Sequence, residues 1–149
     1  MIRKWPLWKS RAFVAAYVAL GWALVTVIVL ALAGCASTEY DMGGSVHEYS
    51  MKYHAMEQAG EMWVAPKNCG SACTLGLRNT LVCYTPDTMF YFHGVSIGGK
   101  YHAGASEAFK QAMPEGIQRW AEQTGAFNST EIVSISGRDL AAFDGRLCS

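Results

Sequence analysis

Ser71 stands behind Gly70, where a short strand gives way to a helical stretch. A serine at such a turn can project its hydroxyl from the sheet edge toward a substrate carbonyl. The hydroxyl is a weak nucleophile unless a base takes its proton. His93, which ends the second following strand and precedes a glycine-rich loop, is the candidate base. Backbone donors for the developing oxyanion are available from Ala72 and from Gly43 and Gly44, which lead into the first helix of the domain. The plainer role for Ser71 is a helix cap. His47 and His54 fall on the first helix and read as solvated or partly buried, and His102, in a loop, replaces His93 only if the strand register shifts.

These residues need a scaffold, and the chain supplies one outside the cytoplasm. Arg3, Lys4, Lys9 and Arg11 precede an uncharged stretch from Ala12 to Ala33, which ends in Leu32-Ala33-Gly34-Cys35. Charge, apolar run and small residues before a cysteine resemble a bacterial lipoprotein signal, in which Cys35 is lipidated and becomes the new N-terminus. The alternatives are an uncleaved helix, since about 22 residues reach roughly 33 Å, and ordinary secretion. The expected division is a signal peptide or membrane anchor over 1–34, a tether over 35–42 and one domain over 43–149. It implies an envelope protein facing the periplasm, held to the membrane by lipid at Cys35 or by the N-terminal helix. Ala36-Ser37 lacks an aspartate after the cysteine, which leans toward the outer membrane.

Past the signal, eight basic side chains face twelve acidic ones, a net charge of −4. No basic stripe is interleaved with aromatics, so a nucleic-acid partner is not expected. Setting Cys35 aside leaves Cys69, Cys73, Cys83 and Cys148, an even set suited to disulfides in an oxidising compartment. Free thiols and zinc are the alternatives, but the spacing matches no common zinc knuckle, and neither a metal nor a cofactor is expected. Placing the helix after Ser71 beside the strand at Cys83 predicts the pairs Cys73–Cys83 and Cys69–Cys148.

The local pattern predicts an α/β class. Ser45 and Glu48 form a capping box for a helix carrying Val46, Tyr49, Tyr53 and Met56, with Gly60 as a stop. Met62 to Ala65, Leu81 to Tyr84 and Met89 to Phe92 read as strands, and Asn68 to Ser71 as a tight region before a helix over Ala72 to Arg78. A helix from about Ser106 to Gln123 is bent or divided by Pro114. Asn128 with Glu131 predicts a short helix, and Ser136 to Phe143 another.

The order Gly43-Gly44-Ser45, helix, strand, Ser71-Ala72, helix, Leu81 to Pro86, strand, His93 resembles the Clp protease proteolytic-subunit family, within the crotonase-like group. The chain is also similar to small proteobacterial envelope proteins with a C-x-SACT motif, here Cys69-Gly70-Ser71-Ala72-Cys73-Thr74. The resemblance covers roughly Gly43 to Cys148 and implies a small, truncated fold of that type. It further implies a serine hydrolase acting on peptides, with Ser71 as nucleophile, His93 as base and Gly43, Gly44 and Ala72 around the oxyanion. For the acid that orients the histidine it offers Asp139, with Glu131 as the alternative. Two departures stand out: Asp41-Met42 replaces the family's Ser-Pro, and Cys73 replaces the glycine two residues after the nucleophile. A non-catalytic envelope lipoprotein that keeps the fold for binding or assembly is the rival expectation.

Overall fold

The computed structural model describes residues 39–148, so the signal segment 1–34 and the lipidation candidate Cys35 lie outside the described residues. The chain is mixed α/β, as the alternation of helical and extended patterns predicts. A repeating path builds it. Strand β1 (Tyr40–Asp41) leads to helix α1 (Val46–Gln58), then β2 (Trp63–Val64) and β3 (Asn68–Gly70). Strand β3 leads in the same way to a 3-10 helix (Ser71–Arg78), then β4 (Val82–Cys83) and β5 (Met89–Phe92). In each turn a strand of the main sheet is followed by a helix, a strand of a second small sheet and the next main-sheet strand. Thus β1, β3 and β5 are parallel neighbours, and β2 pairs in parallel with β4.

After β5 come a hairpin of β6 (Ser96–Ile97) and β7 (Lys100–Tyr101), helices α2 (Ala103–Gln111) and α3 (Glu115–Thr124), strand β8 (Val133–Ser136) and helix α4 (Gly137–Asp144). The hairpin turns on Gly98 and Gly99, both at positive φ, as a two-residue turn of this hand requires. Pro114 divides the predicted long helix in two by capping α3. Ser45 caps α1 by accepting from the Glu48 amide at 3.4 Å, as the capping box predicts.

Four elements differ from the sequence expectation. Tyr40–Asp41, expected within a tether over 35–42, is an edge strand of the main sheet because it pairs with β3, and the glycine-rich loop expected after His93 carries the β6–β7 hairpin. The tight region before Ser71 is a strand, β3, buried along its length between β1 and β5. The segment after Asn128 forms no helix. It leads into β8, which runs antiparallel to β5 with Met89 opposite Ser136 and Phe92 opposite Val133. Alternation inside Val133–Ser136 buries Ile135 and fits a strand with one face on the core. That core is aromatic: Tyr84, Phe90 and Phe92 are fully buried, and Phe92 packs tilted against Trp120, centroids 4.9 Å apart, and edge-on at 5.8 Å to Phe127. Burying each such ring stabilises the domain by about 2–3 kcal/mol before chain entropy is counted. On the 3-10 helix, Gly76 leaves room for the Trp63 ring, which a Cβ there would meet at 2.4 Å.

All four cysteines are oxidised, as expected, but in the other pairing: Cys69 with Cys73 and Cys83 with Cys148. The predicted pairs fail because β4 belongs to the second sheet with β2, away from the start of the 3-10 helix. There a backbone bridge from Tyr84 to Leu147 carries Cys148 to Cys83, Cα to Cα 4.9 Å. Cys73 instead turns back toward its own strand, Cα to Cα 5.4 Å from Cys69. The two bridges should contribute unequally. Chain-entropy reasoning gives about 4 kcal/mol for the bridge that spans 65 residues and about 2 kcal/mol for the four-residue one. Cys83→Ala with Cys148→Ala should therefore lower the urea midpoint by roughly twice as much as Cys69→Ala with Cys73→Ala. Equal losses would assign the short bridge more than its loop closure.

Candidate active site

The three segments singled out by residue type leave the same ends of three adjacent parallel strands. Gly43 lies two residues past β1, Ser71 one past β3 and His93 one past β5. The carboxyl ends of parallel strands are where α/β folds place ligands. Ser71, His93 and Gly44 line one small cavity of about 70 Å³, together with Val46, Val95, Ser96 and Phe109.

Ser71 has a φ of 53°, and among the described residues no other non-glycine residue has a positive φ. The left-handed conformation costs an L-residue about 1–2 kcal/mol and persists only where the surroundings impose it. Here they do. The Cys69–Cys73 bridge spans the turn, with both cysteines fully buried. The Tyr53 hydroxyl of α1 donates to the Cys73 carbonyl at 3.0 Å, and the Thr74 hydroxyl donates to the Ser71 carbonyl at 2.7 Å. The strain is not a cap's: Gly70 is the N-cap of the 3-10 helix, and no side chain caps it. The Ser71 hydroxyl makes no hydrogen bond among the described residues, His93 included, so it stands uncommitted at the cavity. Cys73 does not line that cavity, and its bulk is directed into the disulfide.

His93 is oriented by its own chain. Its Nδ1 lies 2.8 Å from the Gly94 carbonyl. A carbonyl only accepts, so the bond places the proton on Nδ1 and leaves Nε2 as the ring's free acceptor. Gly94 is fixed in turn by its amide donating to the Ser129 carbonyl at 2.6 Å, and a Cβ there would meet the Tyr101 ring at 2.4 Å. Neither acid offered for this role fills it. Asp139 sits in the first turn of α4, where its carboxylate accepts from Ser136 at 2.6 Å. Ser136 pairs with Met89, at the opposite end of β5 from His93, roughly 13 Å away at strand rise. Glu131 is exposed before β8 and makes no bond to the imidazole. His47 and His54 are exposed on α1, and His102 caps α2, its Nδ1 accepting from the Ala105 amide at 3.0 Å.

The Gly43–Gly44 turn is built by a residue that sequence reasoning passed over. Asp41 Oδ1 accepts from the Gly43 amide at 3.1 Å and from the Tyr49 hydroxyl. An aspartate two residues before a glycine is the signature of an Asx turn, so the signal was present in Asp41-Met42-Gly43. Partial burial, and then the bond to Asp41, pushes the Tyr49 phenol up to about 12. This corrects the expected donor set. The Gly43 amide is spent on Asp41, while the Gly44 amide has no partner among the described residues. The Ala72 amide opens the 3-10 helix, where no intrahelical acceptor exists for it. Gly43 contributes shape: at φ 78°, a Cβ on it would lie 2.6 Å from the Ala72 nitrogen.

Among the described residues no group of three or more His, Cys, Asp or Glu side chains could hold a metal, and no helix is long and apolar enough to cross a membrane. The chain matches no family model, no curated protein and no solved structure.

Proposed function

We propose that this chain is an envelope lipoprotein whose domain is a truncated fold of the Clp-protease or crotonase-like type and acts as a serine hydrolase on peptides. One observation carries the reading: an uncommitted serine held at φ 53° on a cavity shared with His93 and Gly44. Strain of this kind gathers at functional sites, and no other group among the described residues bonds this hydroxyl. The repeating strand, helix and strand path supports the fold assignment.

In the proposed reaction Ser71 Oγ attacks the scissile carbonyl while His93 Nε2 takes its proton. The tetrahedral oxyanion receives the Gly44 and Ala72 amides. His93 then returns the proton to the leaving amine, and water attacks the acyl-serine by the reverse path. The Gly94 carbonyl holds the imidazole in the tautomer this requires. It carries less charge than a carboxylate and stabilises the imidazolium less, so turnover should be slow. The pair must close to about 2.6–3.2 Å on substrate binding. The rival, a non-catalytic lipoprotein that binds through the same cleft, is favoured by the fact that no carboxylate among the described residues bonds His93. Labelling of the purified protein by a fluorophosphonate probe separates the two. Covalent modification at Ser71 supports the hydrolase, and its absence supports the rival.

The anchor is tested separately. Cys35→Ser should leave an unprocessed precursor that carries no lipid, while the wild type partitions into detergent with residues 1–34 removed. A wild-type mass that retains those residues assigns the attachment to a membrane helix instead.

A further inference from the structure

The small cavity at Ser71 opens beside a larger groove of about 300 Å³, with Val46, Val95 and Phe109 lining both. A volume of this size is at the lower end for small-ligand sites. Its lining is apolar, with Leu75, Ala108 and Ala112 among the contributors, and carries one charged side chain, Arg78. No carboxylate lines it. Arg78 forms no ion pair and no hydrogen bond among the described residues, whereas Lys110 and Arg146 are both paired to carboxylates. The placement follows from the helix. Ser71 and Arg78 are the first and last residues of the 3-10 helix, about 14 Å apart along its axis at 2.0 Å per residue. The Ser71 hydroxyl and a guanidinium unpaired among the described residues therefore stand at the far ends of two adjoining cavities that share an apolar wall of Val46, Val95 and Phe109.

We infer that the groove binds the apolar C-terminal end of a polypeptide, with Arg78 holding its free α-carboxylate. This rests on the hydrolase reading only for its consequence, namely where the scissile bond falls. Arginine presents a fixed fork of donors that matches a carboxylate. After allowance for the reach of the arginine side chain, the remaining length suits about two to three extended residues between the scissile carbonyl and the terminus. The specificity is then for short, apolar C-terminal pieces rather than for internal sites in a long chain. A terminal amide lacks the charge and should be discriminated against.

The test uses full-length Ser71→Ala protein, so that binding is measured without turnover, and a fluorescein-labelled hexapeptide ending in Ala-Leu-Ala. The peptide is prepared with a free carboxylate and with a C-terminal amide, and anisotropy gives both affinities. The acid should bind at least tenfold tighter than the amide. Arg78→Gln should erase that difference while leaving the amide's affinity within twofold, and Ala108→Trp, which fills the groove, should weaken both peptides. Equal affinity for acid and amide, an acid preference that survives Arg78→Gln, or no binding of either peptide would overturn the inference. Its failure is distinguishable from failure of the hydrolase reading, which is scored by fluorophosphonate labelling of the wild type.

Discussion

Ser71→Gly is expected to give a protein that is both more stable and unreactive. Ser71 sits in the left-handed region, where its Cβ costs about 1–2 kcal/mol. Glycine removes that cost and returns about 0.5–1 kcal/mol of it through the freedom of the unfolded chain. The net gain is about 1 kcal/mol or somewhat less, a rise in melting temperature of roughly 4 °C for a domain of this size. Ser71→Ala keeps the Cβ and its strain and loses a hydroxyl that makes no hydrogen bond, so its stability should match the wild type within about 0.5 kcal/mol. Both variants should lose fluorophosphonate labelling completely. If Ser71 were a structural cap, Ser71→Ala would instead cost about 1 kcal/mol, and the wild type would show no labelling to lose. Urea unfolding of the three proteins beside a labelling assay decides between these patterns. A Ser71→Gly variant less stable than Ser71→Ala would show that the left-handed φ of Ser71 stores no strain.

The two-sided result would place the serine's conformation under functional rather than structural control. The conformation is held from several sides. A disulfide, the Tyr53 hydroxyl and the Thr74 hydroxyl all converge on five residues whose backbone would relax without them. The helices α1 and α4 start on side-chain caps, at Ser45 and Ser136, whereas the 3-10 helix starts without one.

Residue type made parts of this site legible in the sequence. Paired glycines before a helix, a serine behind a glycine and a histidine closing a strand each have a local chemical reason, and each of the three segments lies at the end of a main-sheet strand. The extent of the strand that leads to Ser71 was not legible. Asn68-Cys69-Gly70 has no apolar alternation, because a central strand only three residues long takes its register from its neighbours on both sides rather than from its own pattern. The orienting partner of His93 could not be read for a different reason. A backbone carbonyl leaves no mark in the sequence, so a search for an acid settles on whatever carboxylate is near in the chain, here Asp139 or Glu131. Disulfide pairing fell in the same class: four cysteines allow three pairings, and the bridge from Tyr84 to Leu147 that chooses between them is a long-range contact.

Gly43→Ala is expected to damage the fold and the site together. The new Cβ would lie 2.6 Å from both the Ala72 nitrogen and the Gly70 carbonyl, and 2.9 Å from the Ser71 Cβ. Two of these neighbours are backbone, so relief requires moving the turn that holds Ser71. The left-handed φ of 78° adds a penalty that the larger residue cannot avoid. Together these should cost about 2–4 kcal/mol. The same displacement withdraws or blocks the Ala72 amide, and loss of one oxyanion donor typically lowers the rate by about 10²–10³-fold. Gly44→Ala is the control. It has no left-handed φ to strain, its Cβ would make an ordinary contact at 3.7 Å with Tyr49, and it keeps its amide. Its labelling rate should stay within a few-fold of wild type. Asp41→Ala should fall between them, because it releases the Gly43 amide and the Tyr49 hydroxyl without placing an atom in the cradle. A non-catalytic domain would show the stability loss at Gly43 with no rate to report. A folded Gly43→Ala protein that labels at the wild-type rate would mean that the oxyanion is held elsewhere, because no chemistry at Ser71 can use the Ala72 amide with a methyl group pressed against it.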